Sequence, residues 1–178
     1  MLVQLQSWTQ IKAGRTTVLP AFGILKDMKE KTDVSFGIVP VRKTGDGWEV
    51  LLINQYSKIG NNTYWVFPKG HAEGSESALE TARRELKEET GLEAKQIIES
   101  PTFSLQYSFK YDGVLIKKTV TFYIGIIEEQ ELTLDEAEVK EAQWCSLERA
   151  MERLDYRDTK DLFFQVKQYL VSPKMSGY

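Results

Sequence analysis

The chain has 178 residues, 42% of them hydrophobic, and a formal net charge of −3. That is enough apolar content for a single folded domain, and too much for a disordered chain. One cysteine, Cys145, and one histidine, His71, exclude an internal disulfide and a Cys/His zinc site, so a bound metal must take oxygen ligands, as Mg²⁺, Mn²⁺ or Ca²⁺ do.

Residues 1–32 are mixed in character, with a charged stretch at Lys26–Lys31, and read as an N-terminal extension. The apolar run Val18–Leu25 is interrupted by Pro20 and Gly23. It is too short to span a bilayer, and no basic region precedes an apolar stretch as in a signal peptide. With one cysteine, a reducing, cytoplasmic location is expected. The main domain is expected over 33–172, with a tail at 173–178. Val34–Val41 is rich in β-branched residues, Gly45-Asp46-Gly47 is a turn signal, and Trp48–Ile53 completes a hairpin. A loop holding Gly60-Asn61-Asn62 leads to the short run Tyr64–Phe67. Residues 77–90 read as a helix: Ser77 with Glu80 forms a capping-box signature and Gly91 is a stop. Thr102–Tyr111 and Leu115–Ile127 read as strands joined at Asp112-Gly113, and Val139–Cys145 as one more. Leu147–Leu154 and Thr159–Leu170 read as helices, the last lying on the sheet through one face. Strands, helix, strands, helix predicts an α+β or α/β domain with a mixed sheet between helical layers.

The helix at 77–90 carries the chemistry. At about 100° per residue with Glu85 at zero, Glu89 falls near +40° and Glu88 near −60°. Ala78, Ala82, Leu86 and Leu79 fall at roughly +20° to +120°, so Glu89 lies within the core-facing arc. Arg83, Lys87 and Glu80 take the wet side. A solvated acidic face is therefore already supplied by other residues. Three carboxylates crowded at i, i+3 and i+4 along the core's edge repel one another and are costly to bury without a partner. A divalent cation would remove both costs, and Arg84 can neutralise or position one carboxylate.

The run from Gly70 through Glu76 to Arg84-Glu85-Leu86-Lys87-Glu88-Glu89-Thr90-Gly91-Leu92 resembles the Nudix box, G-x5-E-x7-R-E-U-x-E-E-x-G-U with U apolar, at every defined position. The resemblance implies a Nudix fold, an α+β (α/β/α) sandwich with a mixed central sheet. It implies a hydrolase that cleaves a nucleoside diphosphate linked to another moiety, with Mg²⁺, or alternatively Mn²⁺, as cofactor. Gly70, Glu85, Glu88 and Glu89 would hold the metal, with Glu76 and Arg84 supporting the loop–helix–loop. A metal would neutralise phosphate oxygens and lower the pKa of water, and a carboxylate would accept its proton. A further acid often comes from a later loop of the family. Glu138 is the candidate here and Glu136 its competitor, within a stretch from Glu128 to Glu141 that also reads as a solvated acidic loop.

Trp65-Val66-Phe67-Pro68-Lys69-Gly70-His71 resembles the segment before the box in asymmetric dinucleoside tetraphosphate hydrolases. Lys69 and His71 would contact a polyphosphate. The segments Tyr107–Tyr111 and Lys117–Tyr123 resemble the hairpin that closes the substrate cleft in those enzymes. Tyr107 would stack on a purine and Lys118 would contact phosphate; the alternative for Tyr107 is an ordinary cross-strand packing role. The implied substrate is a dinucleoside polyphosphate such as diadenosine tetraphosphate. Nucleoside diphosphate sugars, RNA ends and a catalytically silent nucleotide-binding module remain alternatives. The weak net negative charge argues against DNA or a membrane surface as partner. The 32-residue extension departs from the compact form of the subgroup and is a candidate to make a homodimer interface or to reshape the substrate pocket, with packing of Trp8 and Phe22 on the same domain or on a partner left open.

Overall fold

A computed structural model describes residues 29–57 and 60–177. Val18–Leu25, Trp8, Phe22 and the dimer contact expected of the extension lie outside the described residues. Among the described residues, seven strands and three α-helices follow one another along the chain. They are β1 (Glu30–Thr44), β2 (Gly47–Tyr56), β3 (Thr63–Val66), β4 (Lys69–Gly70), α1 (Ala78–Thr90), β5 (Gln96–Tyr111), β6 (Val114–Ile126), β7 (Val139–Ser146), α2 (Leu147–Arg153) and α3 (Arg157–Leu170). The sheet runs β3-β2-β1-β6-β5, with β4 added against β1 and β7 against β2. β1 and β6 are parallel over twelve pairs, from Glu30↔Leu115 to Val41↔Ile126, and the other pairings are antiparallel. The sheet is thus mixed, as the element order predicts.

The run Val50-Leu51-Leu52-Ile53 of β2 is wholly buried because both faces of the sheet are covered, which favours continuous apolar strands over alternating ones. On one face Val39, Val41, Val50, Leu52, Val120 and Phe122 pack against Phe163, Val166 and Leu170 of α3. Phe67 ties this layer together, with ring centroids 5.7 Å from Phe122 and 5.5 Å from Phe163. On the other face Ile38 and Leu51 meet Ala82 and Leu86 of α1 and Leu92. Among the described residues, α1 is the helix that packs on this face.

Three boundaries differ from the sequence reading. β1 starts at Glu30, inside the expected extension, because Glu30–Asp33 pair with Leu115–Lys118 of β6. β5 starts at Gln96 rather than Thr102: Gln96–Ile98 pair with Ile124–Ile126, and the ladder shifts register before resuming at Phe103. Pro101, which offers no amide hydrogen, sits in that interruption and hides the strand from a reading by pattern. In the expected tail, Pro173–Met175 form a turn of 3₁₀ helix that buries Met175 in the larger core. No helix among the described residues is long and apolar enough to cross a membrane.

Candidate active site

α1 is specified at both ends by local chemistry. The Ser77 hydroxyl accepts from the Glu80 amide, and the Glu80 carboxylate accepts from the Ser77 amide. Gly91 closes the helix at φ 75°, a left-handed conformation open to glycine at little cost. Burial along α1 agrees with the place of Glu89 within the core-facing arc. Glu89 is 2% exposed, and the side chains of Glu85 and Glu88 are 13% and 55% exposed.

Arg84 is the hub of the loop–helix junction. Its guanidinium donates to both carboxylate oxygens of Glu76, at 2.8 and 3.0 Å, to Glu85 at 2.9 Å, to Glu88 at 2.7 Å and to the His71 carbonyl at 2.7 Å. This hydrogen bonding holds the Glu76 carboxyl down at about 2. Thr81, a buried threonine with no distinguishing sequence signal, also donates to Glu76 at 3.1 Å.

The cleft beside the helix measures about 520 Å³. Lys69, Gly70, His71, Arg84, Glu85, Glu88, Glu89 and Glu138 all line it, as do Glu73 and Asp135, which the sequence reading did not single out. Six carboxylates thus face two permanent cations. Burial pushes the Glu85 carboxyl up despite Arg84. Burial also pushes Glu89 up to about 8, against the lowering effect of Lys69, with Glu85 and Glu138 adding repulsion. Glu138, and not Glu136, reaches the cleft, because its carbonyl accepts from the Tyr56 amide at 2.8 Å and anchors the start of β7 to the end of β2.

These residues fit a divalent cation by their chemistry. The donors are oxygens, and their mutual repulsion and burial are the costs a cation relieves. Gly70 leaves the room: a Cβ there would stand 2.0 Å from Glu85 Oε1. Among the described residues no three acidic, His or Cys groups stand in a ready-made coordinating cluster. Glu85 and Glu88 instead turn to Arg84, which they share with Glu76, and Glu89 is held by other donors. Gln55 Nε2 donates to Glu89 Oε1 at 2.5 Å and the Lys69 amide donates to Oε2 at 3.0 Å.

The predicted substrate residues fall in two places. Lys69 and His71 line the cleft, whereas Tyr107 and Lys118 do not. Lys118 is buried; it donates to Asp33 at 2.9 Å and lies 2.9 Å from His71 Nε2, which is 2.6 Å from Asp33. Tyr107 is the cross-strand partner of Lys118 and is 40% exposed. Its ring is stacked against Phe109, with centroids 6.0 Å apart. His71 therefore joins the acidic cleft to a cationic and aromatic strip on β6 and β5. Asp33, which holds this junction, carried no sequence signal beyond marking the domain's start.

The NUDIX domain family matches residues 31–165. The chain belongs to this family. It is a hydrolase of the Nudix type, acting on phosphorus-containing acid anhydrides, and divalent metal use is general in the family. MutT4 of Mycobacterium tuberculosis is 36% identical over 117 residues, covering 66% of this chain and 46% of its own length, so this Nudix chain spans less than half of that relative. The asymmetrical bis(5′-nucleosyl)-tetraphosphatase of Mus musculus is 32% identical over 112 residues, 61% of this chain and 74% of its own. Among solved structures, the Ap4A hydrolase of C. elegans in a binary complex aligns with a TM-score of 0.63 at 25% identity, over 78% of this chain and 97% of that one.

Proposed function

We propose that this Nudix hydrolase is a magnesium-dependent pyrophosphohydrolase of dinucleoside polyphosphates such as diadenosine tetraphosphate. The observation that carries the reading is the continuity at His71. His71 lines an acidic cleft able to hold a cation and lies 2.9 Å from the buried Lys118, whose cross-strand partner is Tyr107, so one side chain links the cleft to the strip outside it. Similarity to two proteins named for dinucleoside tetraphosphate hydrolysis supports it.

Glu85, Glu88 and Glu89, with the Gly70 carbonyl, would hold the cation. Bound there, Mg²⁺ supplies a Lewis acid that neutralises phosphate oxygens and lowers the pKa of water. Glu138 faces Glu85 and Glu89 across the cleft and is placed to accept the proton of the attacking water. Lys69 and His71 would hold phosphate oxygens by charge-assisted hydrogen bonds. Tyr107 offers a base-tolerant stacking face. Arg84 would hand over Glu85 and Glu88 and keep Glu76, the bidentate partner that fixes the loop.

The test is product analysis by chromatography, with Mg²⁺, across diadenosine tetraphosphate, ADP-ribose and a triphosphate-ended RNA. The expected result is fastest cleavage of diadenosine tetraphosphate into AMP and ATP, by attack on one end of the chain. Faster cleavage of ADP-ribose or RNA would overturn the substrate assignment, and release of two ADP would overturn attack on one end of the chain.

A further inference from the structure

Glu89 is the most buried carboxylate of the cleft, and its two oxygens are held from two different strands. The Lys69 amide, on β4, takes Oε2 at 3.0 Å, and Gln55 Nε2, on β2, takes Oε1 at 2.5 Å. The Lys69 ammonium in turn donates to Gln55 Oε1 at 2.7 Å. Chemistry fixes which way this amide points. An ammonium can only donate, so it must face the amide oxygen, which leaves the NH₂ facing the carboxylate. One uncharged side chain therefore links the lysine proposed for phosphate to the carboxylate proposed for metal.

A second observation concerns where Gln55 sits. The ladder between β2 and β7 runs without interruption from Glu49↔Ser146 to Asn54↔Glu141, then shifts so that Gln55 faces Val139. Such irregularities recur beside active sites, where they re-aim a side chain. The next residue, Tyr56, anchors the Glu138 carbonyl. Gln55 thus stands where the strand meets Glu89, Lys69 and the segment that carries Glu138.

The terminal torsion of a glutamate is broad and roughly two-fold, so one hydrogen bond leaves the carboxylate free to swivel. Two donors on opposite oxygens stop it, and the lone pairs they do not use are those left for a cation. We propose that Gln55 is a positioning residue that orients Glu89 for metal binding and sets Lys69 beside it. This rests on the assignment of Glu89 as a metal ligand. Partners that orient metal ligands from behind typically contribute ten- to a hundredfold in affinity or activity when removed.

The test compares the full-length chain with Gln55→Leu, which has no amide, and Gln55→Glu, which keeps an acceptor for Lys69 but loses the donor to Glu89. Three quantities are read: Mn²⁺ affinity, by the loss of the free-ion paramagnetic resonance signal without substrate; kcat and KM on diadenosine tetraphosphate; and melting temperature. Both variants are expected to bind Mn²⁺ about ten- to a hundredfold more weakly and to lose kcat on the same scale, with KM within about threefold and melting near that of the parent. A folded variant of either kind whose Mn²⁺ affinity and kcat stay within twofold would overturn the proposal. Should Gln55→Leu not fold, the near-isosteric Gln55→Glu decides. Metal affinity is read without substrate, so its loss in the variants carries the assignment even if the parent cleaves no dinucleoside polyphosphate, an outcome that overturns only the substrate assignment.

Discussion

The acidic cleft and the cationic, aromatic strip outside it meet at His71 but are assembled from different kinds of sequence. Glu76, Arg84, Glu85, Glu88 and Glu89 come from one loop and one helix, and Arg84 bonds partners no more than thirteen residues away. Asp33, His71, Lys118 and Tyr107 come from β1, the loop after β4, β6 and β5, and the Asp33–Lys118 pair joins residues 85 apart in the chain. The local half depends on helix periodicity and capping. The distant half depends on the register of the parallel β1–β6 pair, which sets Asp33 against Lys118, and of β5–β6, which sets Tyr107 against Lys118. On the proposed function, the first half would carry the chemical step and the second the choice of substrate.

Substitutions should then separate by kinetic constant. The largest effect is expected for Glu89→Gln, with kcat on diadenosine tetraphosphate lowered by at least about a hundredfold and circular dichroism unchanged. Near-parental turnover would remove Glu89 from the chemical half. In the other half, His71→Ala should raise KM about tenfold, the scale of one lost charge-assisted hydrogen bond, with a smaller change in kcat. If kcat fell and KM did not, the division would be wrong. Tyr107→Leu should raise KM about fivefold for the dinucleoside substrate, and hardly at all for inorganic tripolyphosphate binding, which offers no base to stack.

The smallest effect concerns pH. The Glu89 carboxyl is raised from 4.5 to about 8 in the folded chain. Between those values the folded state holds a proton that the unfolded chain has released. Its stabilisation is therefore complete below about pH 4.5 and is lost as the pH rises toward 8. Melts of metal-free protein in chelator should fall by a few degrees across that window, and Glu89→Gln should flatten this component. A curve for Glu89→Gln that parallels the parent would show that Glu89 does not titrate there.

What could be read from the sequence follows the same division. The helix at 77–90, its capping box and the place of Glu89 within the core-facing arc were legible because each depends on residues a few positions apart. Glu138 could be named but not separated from Glu136, since the choice rests on a backbone bond to Tyr56 far upstream. Gln55 and Asp33 were not legible at all. Gln55 is uncharged and sits in no local pattern, and Asp33 acts through strands that only the folded sheet brings together. Asp135 and Glu73 were lost among neighbouring acids whose exposure the sequence does not reveal.

The span between Asp33 and Lys118 has a kinetic consequence. Closing so long a loop is an entropic cost that must be met before the pair can form, whereas a capped helix can begin to form from its own residues. In refolding from denaturant, helical signal should return ahead of the junction that His71 completes. Recovery of substrate affinity would then time the closure of the β1–β6 pair, making the enzyme its own reporter for one long-range contact.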